Sequence, residues 1–238
     1  MTEILDIWSY LSTGPLLWLT LTLLAYLIGL GVFHLSGHRP FVNPVLISMI
    51  LLSTLLVATD TSYTTYFEGA QFVHFLLGPA TVALAVPLWQ NWQRIKKSAI
   101  PMLAALIVGG LVAMASATAI GYACGLRGEV LLSLVPKAVT SPVAIGVSET
   151  IGGLSTLTVA LVLITGVIGA VVTTPLLNAI RVRDYRARGF ATGVAAHGIG
   201  TARAFQVDGT AGAFAGIGMV LNAIFTSLIA PIFVQLFF

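Results

Sequence analysis

The chain has 238 residues, 58% of them hydrophobic and only 8% Asp, Glu, Lys or Arg, with a mean hydropathy of +1.01. Soluble domains carry about a quarter charged residues, and no long polar stretch interrupts this chain, so a soluble globular protein and an appended soluble domain are both excluded. The formal charge of +3 is small and sits between apolar runs, where it reports topology and not nucleic-acid binding.

The opening MTEILDIWSYLST is acidic and lacks a basic n-region and a small-residue cleavage site, so the first apolar run is expected to stay as a helix. Apolar runs follow at 14–33, 44–59, 71–91, 100–124, 133–147, 154–179, 189–202 and 211–237. Most are long enough to cross a bilayer. Runs 133–147 and 189–202 are short and interrupted by Pro, Gly and charge. Broken backbone at membrane depth survives only when buried in protein or lining a wet cavity, so these two are the functional candidates. The expected fold is all-α: a polytopic integral membrane protein with about six full spans and two broken or re-entrant segments.

A weak internal repeat runs through a single domain, 1–238. Asn43-Pro44-Val45 returns as Ser141-Pro142-Val143, and Gly78, Pro87 and Leu88 match Gly166, Pro175 and Leu176. The halves are about 39–124 and 137–238, and duplicated halves are common in transporters. A basic cluster follows each: Arg94, Lys96 and Lys97, then Arg181, Arg183, Arg186 and Arg188. If both clusters face the cytoplasm, 133–150 is a re-entrant hairpin; if the repeat is inverted, it crosses fully. Acidic Glu3 and Asp6 before the first run, with His34, His38 and Arg39 after it, favour an outside N-terminus.

In LVPKAVTSPVAIGVSETIGG (134–153), Ser141-Pro142 reads as an N-cap followed by a first helical proline, and Asn43-Pro44 reads the same way. A helix start at membrane depth presents free N–H groups and a positive dipole end, which suits an anion. Lys137 adds a full positive charge beside it, and Thr140 a hydroxyl. Glu149 follows about two turns later; an isolated charge at a helix centre costs about 2.5–3.5 kcal/mol on translocon scales, so pairing or proton coupling is expected. The plain alternative places it in a polar loop at the helix end. In GVAAHGIGTARAF (193–205), three glycines leave the backbone breakable, while His197, Thr201 and Arg203 supply a base, a hydroxyl and a bidentate cation. The plain alternative for His197 is a core histidine bonded to a carbonyl. Asp60, Glu68, His74, Arg127, Glu129 and Asp208 read as interfacial.

Enzyme readings lack their parts: HExxH, GxSxG, paired intramembrane aspartates and a P-loop are all absent from the sequence. The single cysteine, Cys124, precludes an intrachain disulfide and a cysteine-based metal site. No cofactor is called for.

Three separated stretches, FLLGPATVALAVPLW (75–89), LVPKAVTSPVAIGVSETIGG (134–153) and AAHGIGTARAF (195–205), occur in the order found in a known family. The chain resembles the LrgB/CidB family of bacterial membrane proteins, to which a domain of plastid glycolate/glycerate translocators is related. The resemblance covers nearly the whole chain. It implies a multi-pass protein of the bacterial inner (plasma) membrane, acting beside a small holin-like partner of LrgA/CidA type. Two roles attach to the family: transport of small carboxylates such as glycolate, glycerate or pyruvate, and antiholin-like modulation of murein hydrolase activity and autolysis. The residues favour the first. Lys137, Thr140, Ser141, Thr201, Arg203 and Asn43 are the expected substrate contacts, and Glu149 and His197 the expected proton carriers. The substrate does not carry over from the family, and homo-oligomerisation is left open.

Overall fold

The computed structural model describes residues 14–37, 39, 42–76, 79, 89, 90 and 92–238, in two units, Met1–Ala83 and Leu84–Phe238. Glu3, Asp6, His38, most of the motif 75–89, and the repeat positions Gly78, Pro87 and Leu88 lie outside the described residues.

In the first unit, α1 (Pro15–Leu35) and α2 (Pro44–Ala58) each begin with proline, which fits a first turn where its missing N–H is not needed. Asn43 caps α2 as expected: its Oδ1 accepts from the amides of Val45 at 2.9 Å and Leu46 at 3.2 Å. A side chain at Gly29 would collide with the Pro44 carbonyl, so glycine lets α1 and α2 approach backbone to backbone. Helix α3 (Tyr63–Phe75) lays Tyr66 edge-on against fully buried Trp18 of α1, ring centroids 6.0 Å apart.

In the second unit, the basic helix α4 (Trp92–Lys97) leads into α5 (Ala99–Ala123), and α6 (Gly128–Leu132) and α7 (Ser141–Ile151) are short. They are followed by α8 (Ser155–Ala179), α9 (Tyr185–Val207) and α10 (Gly209–Phe237). Helices α1, α5, α8 and α10 are long and apolar enough to cross a membrane, and their exposed Leu, Ile and Val side chains suit lipid. Of the other expected runs, α2 is the short one, with 15 residues, and 71–91 falls largely outside the described residues.

Between α5 and α8 the chain turns back on itself. Residues 133–140 descend in tight turns, with Val135 N–H donating to Leu132 O at 3.1 Å and Val139 N–H to Pro136 O at 3.3 Å. The 11 residues of α7 then return over about 16 Å, half of a 30 Å hydrocarbon core. Exit meets entry: Leu154 N–H donates to Ser133 Oγ at 2.8 Å, and Thr158 Oγ1 donates to Ser133 O at 3.3 Å. Residues 133–154 therefore form a re-entrant hairpin and not a crossing. At the opposite ends of α5 and α8–α9, Ser98 and Pro101 share a groove with Asp184, Arg186 and Ala187, so the two basic clusters stand at one face. Two crossings separate them, and the positive-inside rule predicts a cytoplasmic location for that face.

A second hairpin hides within α9. Helical geometry fails at Ala196 (φ −132°, ψ 15°) and His197 (φ 40°, ψ −134°), the latter a left-handed φ rarely adopted by a side-chain-bearing residue. Beyond it the chain reverses: a side chain on Gly200 would touch Thr192, eight positions earlier, which a straight helix would hold far away. The first arm (185–195) leaves the basic face and the return arm (198–207) comes back to it. Asp208 then caps α10, accepting from Thr210 N–H at 2.8 Å and Ala211 N–H at 3.1 Å. Gly189 and Gly193 lie against the backbone of Ala211 and Ala215, so the first arm and α10 pack in parallel without intervening side chains.

Helices α5 and α10 each serve one hairpin with each half. Met102 and Leu106 of α5 pack with Phe190, Val194 and Phe214, while Met114 packs with Val135, Val147 and Ile151. On α10, Ile217 joins the former cluster and Phe233 the latter. Two hairpins entering from opposite faces thus share one scaffold, and their tips point toward its middle.

Candidate functional site

The first tip carries Lys137, Thr140 and Ser141. Lys137 is half-buried, and among the described residues its ammonium has no hydrogen-bond or ion-pair partner. Ser141 is not the cap that its sequence predicts. Thr140 occupies the N-cap (φ −66°, ψ 146°), Ser141 is the first helical residue, and Pro142 follows in the first turn. Proline is accommodated at either of the first helical positions, so Ser-Pro does not decide which residue caps. No side chain caps α7, in contrast to α2, whose Asn43 fills the same role itself. The amides at the start of α7, four residues past Lys137, therefore have no side-chain cap.

The second tip carries His197 and Thr201, both buried. His197 Nε2 lies 2.9 Å from Val162 O, and since a carbonyl only accepts, Nε2 carries the proton and Nδ1 is the nitrogen that can take another. Thr201 Oγ1 donates to His197 O at 2.8 Å, which holds the start of the return arm to the break. Gly166 and Gly169 of α8 make the room: a side chain at Gly166 would meet His197 Cε1 at 2.5 Å, and one at Gly169 would meet Ala196. The plain alternative for His197, a buried ring bonded to a carbonyl, describes its contacts, and the carbonyl it reaches belongs to the wall of the other tip. Val162 packs with Val139 and Ala144.

Asn222, near the middle of the 29-residue α10, ties the tips together. Its Nδ2 donates to Ala138 O at 3.1 Å and to Val194 O at 3.0 Å, and the side chain is 1% exposed. Val194 O is a carbonyl released where α9 breaks, and Ala138 O belongs to the non-helical descent of the first hairpin. Both would otherwise lack partners at membrane depth. Sequence reading passed over Asn222, although an amide in the middle of an apolar span is itself a signal.

The remaining expected residues stand apart from the tips. Glu149 is exposed near the end of α7, at the hairpin base, 3.4 Å from Ser155 Oγ. The expectation of a midplane Glu149 is corrected to this helix-end position, because α7 runs from tip to face and places its last turn at the surface. Arg203 lies on the return arm, buried, with Nη1 donating to Gln206 Oε1 at 3.2 Å. Asn43 belongs to the first unit, and its oxygen is committed to the cap of α2. Of the interfacial residues, Arg127 stacks 3.7 Å from the Tyr122 ring. Asp184 caps α9 and pairs with Arg186 at 2.6 Å, a bond that holds its carboxyl below the usual carboxylate range.

The model of the LrgB-like family matches residues 22–236. The chain belongs to the LrgB-like family. This LrgB-like chain is 36% identical to YxaC of Bacillus subtilis (strain 168) over 217 residues, 91% of this chain and 94% of that protein. It is 33% identical to the holin-like protein CidB of Staphylococcus aureus (strain Mu50) over 200 residues, 84% of this chain and 87% of that protein. CidB of Staphylococcus epidermidis (strain ATCC 12228) is 32% identical over 201 residues, 84% and 88% of the two chains. No solved structure matches significantly. Family membership and the apolar helices together make the LrgB-like chain a multi-pass bacterial membrane protein.

Proposed function

We propose that this chain is a secondary permease for small monocarboxylates such as glycolate, glycerate or pyruvate, coupled to a proton. The observation that supports it is the meeting of two re-entrant hairpins at one buried amide, Asn222, which is hydrogen-bonded to both. Opposed hairpins bring irregular backbone and polar side chains to mid-depth, where only a lined cavity or buried packing tolerates them. In this reading Lys137 and the first amides of α7 neutralise the carboxylate, Thr140 and Ser141 bond the neighbouring oxygen, and Thr201 steadies the second tip. His197 Nδ1 takes the proton. Arg203 lies along the way to the basic face, and Glu149 serves at the opposite mouth.

A second reading, regulation of autolysis beside a small LrgA/CidA-type holin-like protein, has the printed names of the CidB relatives in its favour, and those names fit it more directly than they fit transport. Purified protein in proteoliposomes separates the two. The permease reading expects uptake of labelled glycolate or pyruvate by this chain alone, lost in Lys137→Ala with the fold retained. No uptake without a holin-like partner would favour the second reading.

A further inference from the structure

We infer a second anion station near the basic face, formed by Arg188 and Arg203 around a cavity between α8 and the arms of the second hairpin. It deepens the permease reading and rests on it. Arg188 on the first arm and Arg203 on the return arm line one cavity of about 20 Å³ with Thr173, Thr174 and Thr192, and none of the described residues that line it is acidic. That space is close to one water-sized sphere, so the cavity admits at most the charged end of a small anion. Arg188 Nη1 is oriented by neutral acceptors, Asn178 Oδ1 at 2.8 Å and Val182 O at 2.9 Å, which fix the guanidinium without neutralising it. A guanidinium offers paired N–H groups matched to a planar carboxylate, and two at one cavity bind the anion from both sides. Low exposure of Arg203 reduces screening by salt.

The location gives the station a role. Arg203 is six residues past the His197 break, about 9 Å along the return arm toward the face that bears Arg181, Arg183 and Arg186. An anion leaving the tips on that side meets Arg203 and Arg188 before the solvent. The station therefore acts on entry and exit at the basic face and leaves binding from the opposite face untouched. An ordinary topological role for Arg188, snorkelling to headgroups, predicts no such asymmetry.

The test is sidedness in the full-length protein reconstituted in vesicles of phosphatidylcholine, with labelled glycolate offered to either face. Arg188→Gln and Arg203→Gln are expected to raise the KM about tenfold at the basic face and less than twofold at the other, the loss of one charge-assisted bond. Lys137→Gln is expected to lower transport from both faces. Thr174→Val, which leaves Arg188 bonded to Asn178, is expected to raise the basic-face KM severalfold, and it reads the station should the arginine variants fail to fold. Normal transport with an unchanged KM in the folded arginine variants, or in Thr174→Val if these do not fold, would overturn the station alone. Absence of carboxylate transport by the unsubstituted protein would overturn the permease reading and the station with it. A KM shift seen only when phosphatidylglycerol is present would assign the cavity to a lipid phosphate and overturn the proposal.

Discussion

Asn222 Nδ2 and the carbonyl oxygen of Ala138 are 3.1 Å apart, a bond between residues 84 positions apart that fixes the tip of the first hairpin to the middle of α10. The same nitrogen holds Val194 O at 3.0 Å, so one amide satisfies a released carbonyl from each hairpin. Asn222→Leu removes both bonds and leaves two carbonyls unsatisfied in a dry interior. A loss of about 1–3 kcal/mol of stability is expected, measured by thermal unfolding in detergent. Uptake should fall further than stability, because both tips lose their common anchor. A variant with unchanged unfolding and uptake would show that Asn222 only fills space.

The second tip depends on missing side chains in α8. Gly166→Ala sets a methyl 2.5 Å from His197 Cε1 and 2.8 Å from Nε2, closer than such atoms approach, so the ring must leave Val162 O. Gly146, on α7, has nothing within 4 Å of an added methyl. Uptake assays on the two alanine variants should show a loss of tenfold or more for Gly166→Ala and wild-type behaviour for Gly146→Ala. Equal activity would mean that the His197 contact is dispensable.

Placement of both basic clusters at one face gives a labelling pattern. Cys124 is exposed at the end of α5 away from that face. In intact cells a membrane-impermeant maleimide should modify it from outside. Lys97→Cys and Arg183→Cys, in a Cys124→Ser background, should react only after the membrane is opened. Labelling of residues 97 and 183 from opposite sides would require 133–154 to cross, against the bond joining Ser133 and Leu154.

Much of this arrangement is visible in the residues themselves, and what escapes has a physical reason. Pro, Gly and charge crowded into the short runs 133–147 and 189–202 mark the breaks, because together they leave too few apolar residues for a lipid-facing span, whereas single prolines are carried within α8 and α10. The Asn43 cap is also readable, whereas the break falls at Ala196 and His197 and not at the glycines that read as breakable. The cap of α7 is not readable, since Thr140, Ser141 and Pro142 all suit a first turn. Glu149 was misplaced for a different reason: its distance from Ser141 along the chain is plain, but the direction of α7 is a tertiary fact. Asn222 escaped because its partners are carbonyls brought close only by the two reversals, and Arg188 was read only as one of a basic cluster, since its cavity forms where the return arm comes back beside it.

His197 separates a structural from a proton-carrying role. Its Nε2–H donates to Val162 O, a bond that Gln can replace with an amide N–H, whereas Phe cannot. Gln lacks a nitrogen that titrates between pH 5 and 8, the range in which histidine changes charge. In proteoliposomes carrying an imposed pH gradient, His197→Gln is expected to fold and to exchange glycolate at equal pH, while losing acceleration by an inward proton gradient. His197→Phe is expected to lose both, because the ring keeps its bulk and the tip loses its bond to α8. Glu149→Gln, at the hairpin base, should keep gradient-driven uptake within about threefold, since a carboxyl at the surface exchanges protons with water directly. If gradient coupling survives in His197→Gln and vanishes in Glu149→Gln, the proton carrier is at the base of the first hairpin and His197 is a strut.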